Sequence, residues 1–92
     1  MAEPVLRATD SSGEVYDDPS EDAMYMLMEG LRASGPPLRI DRLEEGREDE
    51  WAEVRMRDSG LYQFANDGNM RYVSNLKNVH EVLTRWAFDL FE

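Results

Sequence analysis

Cysteine is absent from this sequence of 92 residues, so it offers neither disulfide bonds nor thiolate metal ligands. A reducing cytoplasm is therefore the simplest location to expect. The sequence also lacks any apolar run approaching the ~18 residues that cross a bilayer, and its first residues show no signal-peptide pattern. We expect a soluble protein with one domain over residues 1–92, because so short a chain has room for a single core.

Recognisable catalytic motifs are missing as well. The sequence shows no nucleophile elbow, phosphate-binding loop or metal-ligand spacing. His80 is the single histidine, and general acid–base catalysis would require an orienting partner that no motif signals. The sequence therefore predicts a protein that is not an enzyme and that uses no cofactor or metal. An enzyme centred on His80 is the alternative.

Acidic residues outnumber basic residues by 20 to 10, which gives a formal net charge of −10. The acids concentrate before residue 23 and again between Glu44 and Glu53. Such an excess repels nucleic acids and anionic membranes and accelerates encounter with basic proteins. These segments are interpreted either as solvated loops that keep the protein soluble or as a docking surface for a basic partner.

The clearest structural pattern is an antiparallel meander between Trp51 and Ser74. Ala52, Val54 and Met56 alternate with charged residues, as in a strand that has one buried and one solvent-exposed face. Two turn segments rich in Gly, Asn and Asp, residues 58–60 and 66–69, separate this strand from two further ones. Tyr62 and Phe64 share one face of their strand, and Met70 and Tyr72 share one face of the next. One aromatic face is expected to pack on helices. The opposite side is expected to show Gln63, Arg71, Arg55 and Arg57.

Two amphipathic helices flank the remaining strands. The first is predicted to begin with Asp18 as its cap, Pro19 at its first position and Glu21 in a capping box, and to end at Ala33 or Ser34. The second is predicted to run from Leu76 towards the C-terminus after a cap at residues 74–75. Residues 38–43 form a further strand, and residues 1–16 are either a short hairpin or a flexible acidic tail. The predicted fold is α+β, with an antiparallel meander sheet of about four strands, with or without the N-terminal hairpin, and two amphipathic helices on one face. The predicted order is (β-β)-α-β-β-β-β-α.

The candidate contact residues are acids and neighbouring aromatic residues, because an acidic rim speeds association while a few aromatic anchors carry most of the affinity. The predicted partner-binding residues are Glu44, Glu45, Glu48, Asp49, Glu50, Trp51, Glu53, Asp17, Asp18, Glu21, Asp22 and Tyr25.

Three short segments carry a resemblance to a known family. They are Asp18-Pro19-Ser20-Glu21-Asp22, Arg42-Leu43 before the acidic loop, and the stretch from His80 to Trp86-Ala87-Phe88. In these the chain resembles small actinobacterial immunity-type proteins of polymorphic toxin systems. The resemblance implies a cytoplasmic inhibitor that covers the active site of a toxin, often a nuclease.

Sequence analysis therefore predicts a small acidic protein that inhibits a basic partner, such as a toxin, a nuclease or another nucleic-acid-binding protein, without itself binding nucleic acid or membrane. A phage-type DNA mimic that inhibits a host nucleic-acid-binding complex shares the same physics and stays open. A homodimeric assembly module that uses the Phe88/Phe91 end or a free sheet edge is the further alternative, so the chain is expected to be a monomer or a weak homodimer.

Overall fold

The computed structural model describes residues 4–33, 35–66 and 68–88. It confirms an α+β fold with an antiparallel sheet and two helices, but the sheet has six strands instead of the predicted four or so. The elements are β1 (Leu6–Thr9), β2 (Val15–Asp17), α1 (Glu21–Glu29), β3 (Leu38–Arg42), β4 (Trp51–Met56), β5 (Tyr62–Asn66), β6 (Asn69–Val73) and α2 (Leu76–Ala87).

The extra strands come from the N-terminal hairpin, which joins the sheet in the order β2-β1-β3-β4-β5-β6. Leu6 and Ala8 supply its apolar face and are buried. Its turn is held by the Asp10 carboxylate, which accepts hydrogen bonds from the backbone N–H groups of Ser12 and Glu14. Pairing of β1 with both β2 and β3 satisfies the backbone of a segment whose own apolar residues are few.

Helix α1 starts later and ends earlier than the sequence predicts. Ser20, and not Asp18, is its N-cap: the Ser20 hydroxyl accepts a hydrogen bond from the Ala23 N–H at 3.1 Å. The helix ends at Glu29 with Gly30 as the C-cap residue, which fits the low helix propensity of glycine. Ala33 instead forms an isolated bridge with Met56 of β4, and Ser34 lies outside the described residues.

Helix α2 begins as predicted, because the Asn75 side chain accepts a hydrogen bond from the Asn78 N–H at 2.8 Å. It ends at Ala87. Phe91 lies outside the described residues, whereas Phe88 is 36% exposed at the end of the helix.

The core lies between the two helices and one face of the sheet, called here the inner face. Alternate residues of β1, β3, β4 and β5 point into it, which confirms the predicted period-2 patterns. Met24 and Met28 of α1 and Val79 and Leu83 of α2 are fully buried against them. The other face of the sheet, the open face, carries no helix among the described residues.

Strand β6 departs from the predicted arrangement. Its register pairs Gln63 with Tyr72 and Phe64 with Arg71. Tyr72 therefore lies on the open face with Gln63, while Arg71 lies on the inner face with Phe64. The prediction that Arg71 shares a side with Gln63 is wrong, because the pairing of Asn66 with Asn69 across the turn fixes the register.

Candidate functional site

The antiparallel register brings two predicted acidic segments to the same end of the sheet. Strand β1 starts there, between the last residue of β2 and the last residue of β3. The Asp18 N–H donates to the Leu6 carbonyl and the Leu43 N–H donates to the Val5 carbonyl, both at 2.8 Å. Asp17, Asp18 and the loop 44–50 thus flank the first residues of β1 on its two sides. They are called the acidic end below.

The loop 44–50 has a defined local structure. Its base is closed by a hydrogen bond from the Arg42 N–H to the Glu50 carbonyl at 3.0 Å, and two turns follow each other between Glu44 and Glu50. Gly46 adopts a φ of +87°, which a glycine reaches without steric cost. The Arg47 guanidinium lies 2.9 Å from a Glu50 oxygen and 3.9 Å from Glu44. The loop is therefore cross-linked internally by one cation.

A buried arginine connects this loop to the carboxyl end of α2. Arg42 is only 2% exposed, and its Nε lies 2.9 Å from a Glu50 carboxylate oxygen. Its guanidinium donates to the backbone carbonyls of Ala87 and Trp86 and lies 4.4 Å from the centre of the Trp86 ring. A cation is favourable at this position because the last carbonyls of a helix carry partial negative charge.

The burial of Arg42 is the feature of this site that the sequence analysis does not predict. The signal was present in β3, because Arg42 follows Leu38 and Ile40 with the same period of two. An arginine at a core position indicates that carbonyls or a carboxylate must meet it there.

Internal partners engage some of the acids but leave others free. The hydrogen bond from Arg47, with the charges of Arg47 and Arg42, lowers the pKa of the Glu50 carboxyl. Asp17 pairs with Arg7 at 2.9 Å. Asp18 has a positive φ of 49°, and its side chain accepts hydrogen bonds from the backbone N–H groups that open β1.

Three acids at the tip of the loop form no ion pair with any described residue. Glu45, Glu48 and Asp49 are exposed, and Glu48 only accepts a hydrogen bond from the Gly46 N–H within the loop. In a protein of net charge −10, these three exposed carboxylates lie within five residues of each other and have no cationic partner among the described residues.

Trp51 and Glu53 lie beside the acidic end but on the open face. Trp51 is half-buried, with the Arg39 guanidinium 5.0 Å from its ring centre. Glu53 lies 3.3 Å from Arg39 and 3.7 Å from Arg55, so its charge is balanced within the sheet. Trp51 is therefore partly covered by Arg39, and Glu53 is mainly a partner of arginines.

The remaining predicted residues belong to the contact between the two helices. Tyr25 is 37% exposed and meets the His80 ring edge to face at 5.3 Å. The His80 Nε2 lies 2.8 Å from the Glu21 backbone carbonyl. Glu21 and Asp22 are exposed in the first turn of α1, where carboxylates complement the helix dipole. This geometry assigns His80 a helix-joining contact.

The described part of the chain contains no group of three or more histidine or acidic side chains arranged to hold a metal ion. None of the helices within it has the length and apolar character needed to cross a membrane. Comparisons with family models, with curated proteins and with solved structures found no match to this chain.

Proposed function

We propose that this protein binds the basic surface of another protein through its acidic end and blocks that surface. One observation carries the proposal: Glu45, Glu48 and Asp49 are exposed on a loop that Arg42 and Arg47 hold by ion pairs, and no described cation pairs with them. A field of one sign at an exposed end raises the rate of encounter with a surface of the opposite sign.

The fixed conformation of the loop supports binding as well as attraction. Hydrogen bonds and ion pairs already order the loop in the free protein, so less conformational entropy is lost on association than for a flexible acidic tail. Trp51 begins β4 directly after Glu50 and supplies an aromatic residue beside the charged rim. Aromatic anchors within a charged rim are typical of residues that dominate binding energy.

The narrower form of the proposal is inhibition of a nuclease-like toxin. A nuclease needs a cationic surface to hold the phosphates of its substrate, and carboxylates on a rigid loop compete for that surface. The net charge and the resemblance to immunity-type proteins support this choice of partner class. Occupation of the surface would exclude the nucleic acid by charge competition and by steric overlap.

The decisive experiment compares two triple variants with the same change in net charge. The first replaces Glu45, Glu48 and Asp49 with lysine. The matched control replaces Glu14, Glu29 and Asp58, all exposed, with lysine. Glu14 and Asp58 lie at the opposite end of the sheet, and Glu29 ends α1 four residues before the bridge between Ala33 and Met56. The tagged wild type is used to retain a basic protein from a lysate of the native host at low salt, and mass spectrometry identifies it. This partner is then purified, and its association rate with each variant is measured across a salt series.

At low salt, the first variant should associate with the partner at least about tenfold more slowly than the wild type. The association rate of the control should fall much less. As the salt concentration rises, the association rates of the wild type and the first variant should converge, because screening removes the long-range attraction. Equal slowing in both variants would show that only the total charge matters. That result would contradict a role for the acidic end as the contact surface.

A further inference from the structure

The two edges of the sheet differ in how they are protected from pairing with another strand. Edge strand β2 is three residues long, and its Tyr16 hydroxyl bonds to the carboxylates of Glu14 and Asp10. Edge strand β6 is five residues long and contains neither proline nor acid. Met70 and Tyr72 are 58% and 54% exposed on it. An exposed edge without proline or acidic residues is a template for an added strand.

The register shows which backbone groups of β6 are free. Asn66 pairs with Asn69 across a two-residue connection, and residues that flank such a turn exchange both of their backbone hydrogen bonds. Bonded pairs then alternate, so Arg71 and Val73 also bond to β5. The N–H and C=O groups of Met70 and Tyr72 therefore point away from β5, and no described backbone group bonds to them.

A groove of about 750 Å³ runs beside this edge, between the inner face of β5–β6 and helix α2. Phe64 and Trp86 provide its apolar surface, and Arg71 and Arg85 bring two cations to it. Arg85 pairs with Glu81 at 2.8 Å, but Arg71 forms no ion pair with any described residue. The side-chain oxygen of Asn66, which also lines the groove, is buried without a hydrogen-bond partner in the described part of the chain.

We infer that β6 and this groove together accept an extended segment of a partner protein that carries an acidic residue opposite Arg71. The segment would add to the sheet antiparallel to β6, with its backbone bonded to Met70 and Tyr72. A residue opposite Arg71 occupies a non-hydrogen-bonded position, where facing side chains are closest, and it lies on the side of the groove. Its neighbours would face Met70 and Tyr72 on the open face and are therefore expected to be apolar. This pattern is strand addition, with main-chain bonds for affinity and alternate side chains for specificity.

Charge favours this occupant over a second copy of the chain. Two copies of β6 can pair antiparallel about a two-fold axis so that all five residues are matched. In that register Met70 lies opposite Tyr72 of the copy, and Arg71 lies opposite Arg71 of the copy. Two guanidinium groups directly opposite each other repel. An acidic side chain at the same place attracts Arg71, and this surface is distinct from the acidic end.

The test uses the full chain and two short capped peptides that alternate valine with threonine around a central residue. The central residue is glutamate in one peptide and lysine in the other. Binding is measured from the hydrogen exchange of the Met70 and Tyr72 amides by NMR and from Trp86 fluorescence in a Trp51→Phe background. Arg71→Glu reverses the charge at an exposed position, and Arg32→Glu, another exposed arginine, is the matched control.

The glutamate peptide should protect the Met70 and Tyr72 amides of the wild type and bind about tenfold more tightly than the lysine peptide. Arg71→Glu should invert this preference, whereas Arg32→Glu should keep it. Equal binding of both peptides, protection elsewhere in the sheet, or no protection by either peptide at millimolar concentration would overturn the inference. The inference would also be overturned if sedimentation showed a dimer and the Met70 and Tyr72 amides were protected without peptide.

Discussion

Strand β3 places two arginines on opposite faces of the sheet, and each guanidinium lies over a tryptophan ring. Arg39 lies 5.0 Å from the Trp51 ring on the open face, and its side chain is 42% exposed. Arg42 lies 4.4 Å from the Trp86 ring on the inner face and is 2% exposed. The same pair of side chains therefore occurs once near water and once in the interior.

From this difference we expect that burial, and not the arginine–tryptophan contact itself, sets how much each arginine contributes to the free energy of unfolding. Arg39 has Asp41 and Glu53 as partners, and all three side chains can exchange these contacts for water. Arg42 donates to two carbonyls at the end of α2 and contacts Glu50. Removal of Arg42 would leave these carbonyls without their donor in a place that water reaches poorly.

The largest effect is expected from Arg42→Met, which keeps much of the side-chain volume but removes the charge and the donors. We expect the free energy of unfolding to fall by about 2–4 kcal/mol, as for the loss of a buried, charged hydrogen-bonding partner. Urea denaturation monitored by circular dichroism measures this. An effect no larger than that of Arg39→Met, which changes the net charge equally, would contradict the comparison.

A smaller effect is expected from Glu50→Gln, which tests the counter-ion of the buried arginine. The lowered pKa of Glu50 means that its carboxylate stabilises the folded state above the ordinary pKa of a glutamate. That stabilisation is lost as the pH falls through the lowered value, because the folded state must then take up a proton that it binds weakly. Stability measured across an acid pH series should show the wild type above the variant near neutrality and the two converging in acid. A constant difference at every pH would show that Glu50 acts through packing.

Arg39→Met should lower the free energy of unfolding by at most about 1 kcal/mol, because exposed ion pairs and exposed cation–π contacts contribute little. Its clearer consequence should be a change in Trp51 fluorescence, measured with Trp86 replaced by phenylalanine. Methionine cannot place a guanidinium over the indole ring. A loss of stability comparable to that of Arg42→Met would show that the open face is as critical to folding as the inner face.

The smallest effect concerns Tyr16 in edge strand β2, which is separated from β3 by β1. The hydrogen bond to Glu14, with the nearby negative charges, raises the pKa of Tyr16 from 10.0 to about 12. The folded state therefore holds this proton more tightly, so the stabilisation is complete below pH 10 and is lost as the pH rises towards 12. Tyrosinate absorbance should show the raised transition in the wild type and a lower one in Glu14→Gln. Identical titrations would contradict the Tyr16–Glu14 hydrogen bond.

Several local features could be predicted from sequence because their causes are local. The alternation around Ala52 and Val54 is confirmed by their burial, and the Asn75 cap is confirmed by its hydrogen bond. Helix α1 was predicted with the wrong cap because Asp18, Ser20 and Pro19 all satisfy local rules. The long-range bonds from Asp18 to the backbone of β1 decide between them, and no local pattern contains that information.

The candidate site was predictable in composition but not in assembly. The acids of the loop 44–50 were identified from charge alone, and the structure places Asp17 and Asp18 at the same end of the sheet. The chemistry of Glu53 and Tyr25 predicts contacts for both, yet Glu53 belongs to the arginine pairs of the open face and Tyr25 to the contact between the helices. Which acids keep an uncompensated charge depends on which arginines reach them.

By itself, the sequence determined the acidic character of this protein, the period-2 strands, the turns and the apolar stripes of the two helices. Each of these follows from the type and spacing of neighbouring residues. Only the tertiary structure decided that the N-terminal hairpin extends the sheet, that Arg42 is buried under α2 and that Arg71 faces a groove. These features depend on strand order and register, which join residues far apart in the chain and are selected by packing and hydrogen bonding of the whole fold.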